Sequence, residues 1–264
     1  MVYLEFSQEQ QIAAVSNLVP TLLDQYSVQD AEFENINHGF NSSFKVTTSS
    51  GDKFALRINT NSKKSPSEIE GEVLLLEYLA NNEVLNSPKP IRTMDGETFS
   101  RVQADFLDRE ILAVLCHWID GEVIGTEASD QQLFELGAAM GKLHECAALI
   151  PSNLTSRFSK IDRTLFNSPD NLRKPDSRID SELQRLIADA FKISDEVFQE
   201  LAKQSERILI HADLHPYNAL KTQSGLAVID FDDVGIGYEL QDLAITFFYL
   251  RDKPGKEEMV LDGY

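Results

Sequence analysis

The stretch at residues 209–220, LIHADLHPYNAL, sets His211, Asp213 and His215 at alternate positions and follows them with Pro216, Tyr217 and Asn218. On a strand, alternate side chains share one face, so the three could converge on a metal. On a loop, a carboxylate and an amide five residues apart could serve a proton and a divalent cation instead. Pro216 cannot donate to a ladder. That weighs against an unbroken strand, and a zinc site needs the unbroken strand or a further ligand from elsewhere in the chain.

Residues 211–218 agree with the kinase loop pattern H-R-D-L-x-x-x-N at every fixed position except the arginine, which is Ala212. The spacing has a chemical reason. Asp213 accepts a hydrogen bond from an attacking hydroxyl, while Asn218 reaches a magnesium ion on the nucleotide phosphates. Twelve residues after Asn218, the apolar run 226–229 delivers Asp230-Phe231-Asp232, a D-F-D form of the D-F-G metal-binding turn. An ordinary turn with solvated Asp232 and Asp233 explains the acidic cluster but not the order and spacing of the two motifs. His215 and Asp233 are candidates to face the acceptor. His211 reads as a brace for the loop and His144, on an apolar helix, as a satisfied buried histidine.

Weaker matches lie earlier. Gly39, Asn41, Phe44 and Val46 fall on the fixed positions of G-x-G-x-x-G-x-V, with one of three glycines present. With Ser42 and Ser43 they form a polar turn that is a candidate for contacting a nucleotide; a plain hairpin would look the same. Phe54-Ala55-Leu56-Arg57 has the shape of V-A-I-K with arginine for lysine. Arginine keeps the charge and adds a planar fork. Glu72 is its expected ion-pair partner, Glu68 the competitor, and a solvated glutamate the plain alternative.

These groups need a scaffold. Residues 8–27 have helical periodicity, and 31–58 read as three strands joined by turns, the second at Ser50-Gly51-Asp52. Ser65, Pro66 and Glu68 open a helix with a capping box. Strands are expected at 97–103 and 111–119, and the pattern breaks at IDGE, 119–122. Beyond it, helices are expected at 130–148, 181–203 and 240–250, with another starting after 250, and short strands at 207–211 and 226–230. The polar stretch 151–179 has no assignable element. A strand-rich front thus meets a helix-rich back near residue 120, which predicts two lobes with a ligand cleft: 1–116, a hinge at 117–121, and 122–264, a back lobe expected to lack final helices.

Bulk properties narrow the function. The chain has 264 residues, 42% hydrophobic and 25% charged, with 24 Lys and Arg against 43 Asp and Glu for a net charge of −19. Such a surface repels phosphate backbones, so nucleic acid is excluded as a partner. Two distant cysteines, Cys116 and Cys146, argue against a disulfide scaffold or a thiolate zinc site. The start MVYLEFSQEQQ is not a signal peptide, and the apolar runs are too short to span a bilayer. A cytoplasmic protein without membrane partners is expected.

Taken together, ILIHADLHPYNAL, AVIDFDDVGIG with QDLA, NHGFNSSFKV, FALRI, HWIDGE and LGAAMGKLHE resemble the aminoglycoside phosphotransferase-like kinases, most closely the stress-response Ser/Thr kinase and type II homoserine kinase branch. The resemblance covers about residues 28–250, apart from 151–179. It implies an α+β, two-lobed protein-kinase-like fold: a small antiparallel-sheet lobe with one key helix, and a larger, mainly helical lobe. It implies ATP and Mg²⁺, with Asp213 as base, Asn218 and Asp230 on magnesium, and backbone groups of His117 and Ile119 pairing with adenine. Transfer to a small-molecule hydroxyl is the leading expectation. A protein Ser/Thr kinase and a catalytically weak nucleotide-binding regulator are the alternatives.

Overall fold

The computed structural model describes residues 3–62, 64–174 and 179–264. The chain separates into two compact units: Met1–Glu122 with Thr222–Ile229, and Val123–Lys221 with Asp230–Tyr264.

The first unit opens with helices α1 (Gln8–Ser16) and α2 (Val19–Asp24). The periodicity of 8–27 predicts one helix. The chain instead breaks at Asn17–Leu18, because Pro20 sits in the first turn of α2, where a missing N–H costs nothing. Strands β1 (Ala31–His38), β2 (Ser42–Thr48) and β3 (Lys53–Ile58) follow, then α3 (Pro66–Asn81), β4 (Pro90–Ile91), β5 (Ser100–Ala104) and β6 (Arg109–His117). All strand pairs are antiparallel, in the order β1-β2-β3-β6-β4, with β5 also on β6.

Strand alternation gives this sheet two faces. Phe44, Val46, Leu56, Ile58, Ala113 and Leu115 pack with Val15, Val19 and Leu22 of α1 and α2. Leu112, Val114 and Cys116 face the other way, where Ile69 and Val73 of α3 cover them. Ser65 caps α3 through a complete capping box: its hydroxyl accepts the Glu68 amide, and Glu68 Oε2 accepts the Ser65 amide at 2.9 Å. After β7 (Glu122–Val123) the chain enters the second unit. Residues 222–229 join the first unit, where Val228 N–H donates to Asn86 O at 2.9 Å.

The second unit holds α4 (Asp130–Ala147), the short α5 (Ser152–Thr155) and α6 (Ser181–Gln204). Strands β8 (Ile208–Ile210), β9 (Ala219–Thr222), β10 (Gly225–Val228, in the segment that joins the first unit) and β11 (Gly235–Gly237) come next, then α7 (Glu239–Leu250) and α8 (Lys256–Gly263). β8 and β11 pair antiparallel, joining the chain on either side of the loops at 211–218 and 230–233. Helix α8 lies so close on α4 that a Cβ at Gly137 would overlap the Val260 carbonyl, and one at Gly263 the Phe134 carbonyl. Within 151–179, the described residues hold only α5 and a short turn at Thr164–Asn167; 175–178 lie outside the described residues. Both cysteines are free and buried. Among the described residues, no helix is long and apolar enough to cross a membrane.

Candidate active site

The loop after β8 is held from below by α7. Asp242, fully buried, accepts the His211 amide at 2.9 Å and the Ala212 amide at 2.7 Å. Its Oδ2 also meets His144 Nε2 at 3.0 Å, and His144 Nδ1 meets the Tyr264 hydroxyl at 2.8 Å. Ala212 has φ +65°, a left-handed conformation that costs an L-residue about 1–2 kcal/mol. Two charge-assisted bonds to one carboxylate offset that cost and turn the next residue, Asp213, off the strand line.

Asp213 sits in a tight hydrogen-bonded set. Asn218 Nδ2 donates to Asp213 O at 2.9 Å and to Oδ2 at 3.0 Å. Pro216 starts a turn of 3₁₀ helix, Pro216–Asn218, capped by His215, whose Nδ1 accepts the Tyr217 amide at 3.2 Å. The other ring nitrogen, Nε2, lies 3.4 Å from Asp213 Oδ1 and 3.3 Å from Asn218 Nδ2. With Nδ2 committed to Asp213, the amide oxygen of Asn218 is the group that can turn to a cation. His211 is buried, its Nδ1 3.3 Å from the Asp213 amide and its ring 4.6 Å from that of Phe231. It braces the loop.

The zinc reading fails here. His211 packs inward, His215 Nδ1 is used by the backbone, and among the described residues no three His, Cys, Asp or Glu side chains are grouped to hold a metal. Magnesium asks for less: one or two protein oxygens, with waters and phosphate oxygens completing the shell. Asn218 offers an amide oxygen, and Asp230 offers an exposed carboxylate from a left-handed turn (φ +65°) at the head of the Phe231–Asp233 turn. This oxygen-only donor set fits magnesium. Asp233 is exposed in the same turn.

In the first unit, Arg57 on β3 reaches Glu72 on α3, Nη2 to Oε2 at 2.5 Å, and the Glu72 side chain is buried. Glu68, the competitor, is bound into the cap of α3 one turn earlier. Ser43 stands opposite Arg57 in the β2–β3 register and Lys45 opposite Ala55, so both share the face of Arg57. Lys45 Nζ lies 5.2 Å from the Trp118 ring and 3.5 Å from Glu34.

Two of the expected nucleotide contacts must be corrected. Val46 belongs to the core packed by α1 and α2, and the Ser42 hydroxyl is buried between His38 Nδ1 (2.7 Å) and Thr60 Oγ1 (2.6 Å). Both have the wrong strand parity. A one-residue shift in aligning the glycine-rich pattern moves every side chain to the opposite face, and Ser43 with Lys45 occupy the face of Arg57. Gly39 and Asn41 close the turn between β1 and β2, Gly39 N–H donating to Asn41 O at 2.9 Å. At the end of β6 the His117 N–H is spent on Lys89 O at 2.9 Å, and the Trp118 N–H on Lys53 O at 3.1 Å. An adenine contact at His117 therefore falls to its carbonyl. Ile119 follows, bordering a cavity of about 580 Å³ that His117 and Lys89 also line.

Tyr264, Lys45 and the aromatic neighbours of the loop escaped sequence reasoning, and Asp242 enters only within QDLA, as part of the resemblance, with no role assigned to it. The others take part only through contacts distant in the chain.

An antiparallel sheet braced by one helix carrying a buried ion pair, together with a largely helical unit presenting an Asp–Asn loop, defines a kinase of the two-lobed protein-kinase-like class. Residues 32–262 match the model of the phosphotransferase enzyme family, and the chain belongs to that family. It is 22% identical to hydroxylysine kinase of Xenopus laevis over 283 residues, covering 92% of this chain and 74% of that protein. A microcompartment-associated aminopropanol kinase superposes with a TM-score of 0.76 at 22% identity, over 94% of this chain and 80% of that one. An amicoumacin kinase, solved with AMP-PNP, Ca²⁺ and Ami, superposes at 0.74 with 20% identity, over 98% and 80%.

Proposed function

We propose that this phosphotransferase uses ATP and Mg²⁺ to phosphorylate a hydroxyl of a small molecule. The observation that carries this reading is the Asp213–Asn218 pair on a backbone tethered by Asp242. Asp213 orients the acceptor hydroxyl and takes its proton as the oxygen attacks the γ-phosphorus; the bond from that phosphorus to the β–γ bridging oxygen breaks, and ADP leaves. Bound magnesium neutralises charge on the phosphates, and Asn218 and Asp230 would hold it. Arg57, anchored by Glu72, grips the α- and β-phosphates; the His117 carbonyl and the Ile119 backbone receive adenine. In this reading residues 1–116 form the nucleotide lobe, 117–121 the hinge and 122–264 the catalytic lobe, and the compartment is the cytoplasm.

Relatives named for hydroxylysine, aminopropanol and amicoumacin favour a small acceptor over a protein serine. The test is an acceptor screen read by ADP release, with and without Mg²⁺. Magnesium-dependent, acceptor-dependent release is expected. An ATP-binding protein that turns over with no hydroxyl compound would be a regulator instead.

A further inference from the structure

Helix α4 carries Gly137, Gly141 and His144 at i, i+4 and i+7, spacings that share one face of a helix. Helix α8 covers that face. A Cβ at Gly141 would sit 2.8 Å from the Tyr264 carbonyl oxygen, and one at Gly137 3.0 Å from the Tyr264 amide nitrogen. The two glycines therefore let the α8 backbone reach α4 and fix where Tyr264 stands. One turn on, His144 is buried, and its ring lies edge-on to that of Tyr264, centroids 5.5 Å apart at 74°.

His144 is bonded on both sides. Nε2 meets Asp242 Oδ2 at 3.0 Å and Nδ1 meets the Tyr264 hydroxyl at 2.8 Å. A carboxylate only accepts, so Nε2 carries a proton, and in a neutral imidazole Nδ1 is left to accept the Tyr264 O–H. Burial first, then Glu239 and Asp242, raise that phenol to about 12, so the hydroxyl keeps the proton it shares.

We propose that Tyr264 is a positioning residue for phosphoryl transfer: its hydroxyl holds His144 in the tautomer that donates to Asp242, and Asp242 holds the His211 and Ala212 amides that set Asp213. This rests on the phosphotransfer reading. The physical need lies at Asp242, a fully buried carboxylate that takes three donors, the two amides and His144. In the other tautomer the Nε2 lone pair would face Oδ2, and a buried charge short of a donor is costly. The carboxylate would shift, and the left-handed turn at Ala212 would lose the bonds that offset it. Neither Tyr264 nor His144 takes part in bond making.

Tyr264→Phe in the full chain keeps the ring and removes only the O–H. Hydrogen exchange of the His211 and Ala212 amides should quicken by roughly twofold to tenfold, the worth of one hydrogen bond, while the amides of α6 stay as they are. In steady-state kinetics kcat should fall by a similar factor with the KM for ATP unchanged. In an Asp242→Asn background the same substitution should add nothing to kcat, because its effect passes through that carboxylate. Unchanged exchange of the two amides overturns the proposal, whatever the melting temperature does, and so does full additivity with Asp242→Asn. Amides that loosen as expected, in a protein whose wild type shows no magnesium-dependent ADP release with any acceptor, would keep the hold of Tyr264 on the loop and remove the phosphotransfer reading.

Discussion

Arg57 and Glu72 pose the sharpest question at the scale of residues, because a guanidinium stands where kinases place an ammonium. The 2.5 Å contact to a buried carboxylate fixes the fork, and a charge-assisted hydrogen bond is worth about 1.5–3 kcal/mol. Arg57→Ala should therefore raise the KM for ATP and cut kcat/KM by that amount, roughly tenfold to a hundredfold. Glu72→Ala should do the same more weakly, since the arginine survives but is no longer aimed. The double mutant should lose less than the sum, and it should melt higher than Arg57→Ala, which strands Glu72 as an unpaired buried charge. Strictly additive kinetics would show that the two do not act together on ATP. Asp213→Asn tests the base. Amide for carboxylate keeps the shape, so ATP binding should persist while kcat falls by roughly 10²–10⁴; a variant with more than a tenth of wild-type turnover would refute that role.

Among elements, α7 governs the loop although it contributes nothing to the reaction itself. Asp242 supplies two acceptors to the His211 and Ala212 amides and one to His144. Asp242→Asn keeps one acceptor and turns an NH₂ toward groups that already donate. The loop should relax from its left-handed turn, lowering kcat at least tenfold, and the melting temperature should drop because a buried polar network is broken. If kcat is unaffected while the melting temperature falls, Asp242 only stabilises the unit. This dependence also shows what a sequence discloses. The 211–218 and 230–232 turns were legible because each lies within a short run of the chain, where Pro216 opens a turn that brings Asn218 back to Asp213. The cap of α3 was legible because Ser65, Pro66 and Glu68 are neighbours in the chain. The parity of Ser42 and Val46 was not: a strand's inward face is set by its partners, and two readings one residue apart look alike until the β2–β3 register is known. The break between α1 and α2, the short β4, β9 and β11, and the reach of Asp242 across 30 and 31 residues to the Ala212 and His211 amides likewise depend on packing rather than local pattern.

Across the whole molecule, ionisation is the lever, since the chain already carries a net charge of −19. Three acids held in neutral form show the largest upward shifts: Cys116 and Tyr3, both buried, and Tyr264, about 40% exposed. Burial raises the Cys116 thiol from 9.0 to about 12, with Arg57 pulling it down and Glu72 adding to the rise. Burial likewise takes Tyr3 from 10.0 to about 12 against the pull of Arg109, and Tyr264 from 10.0 to about 12 with help from Glu239 and Asp242. The sign follows from which state holds more protons. Below pH 9 these groups are protonated both folded and unfolded, and their contribution is flat. Above it the unfolded chain releases protons that the native chain keeps, so stability falls with rising pH until the native groups ionise near 12. Each released proton also deepens a negative charge that is already large. Thermal melts at pH 7.5, 9, 10 and 11 should show a plateau and then a decline beginning near 9, first in the unit that holds Cys116 and Tyr3. Cys116→Ala removes the earliest of the three, so its decline should begin about one pH unit later. A wild-type melting temperature unchanged through pH 11 would mean that these acids are not held neutral in the native protein.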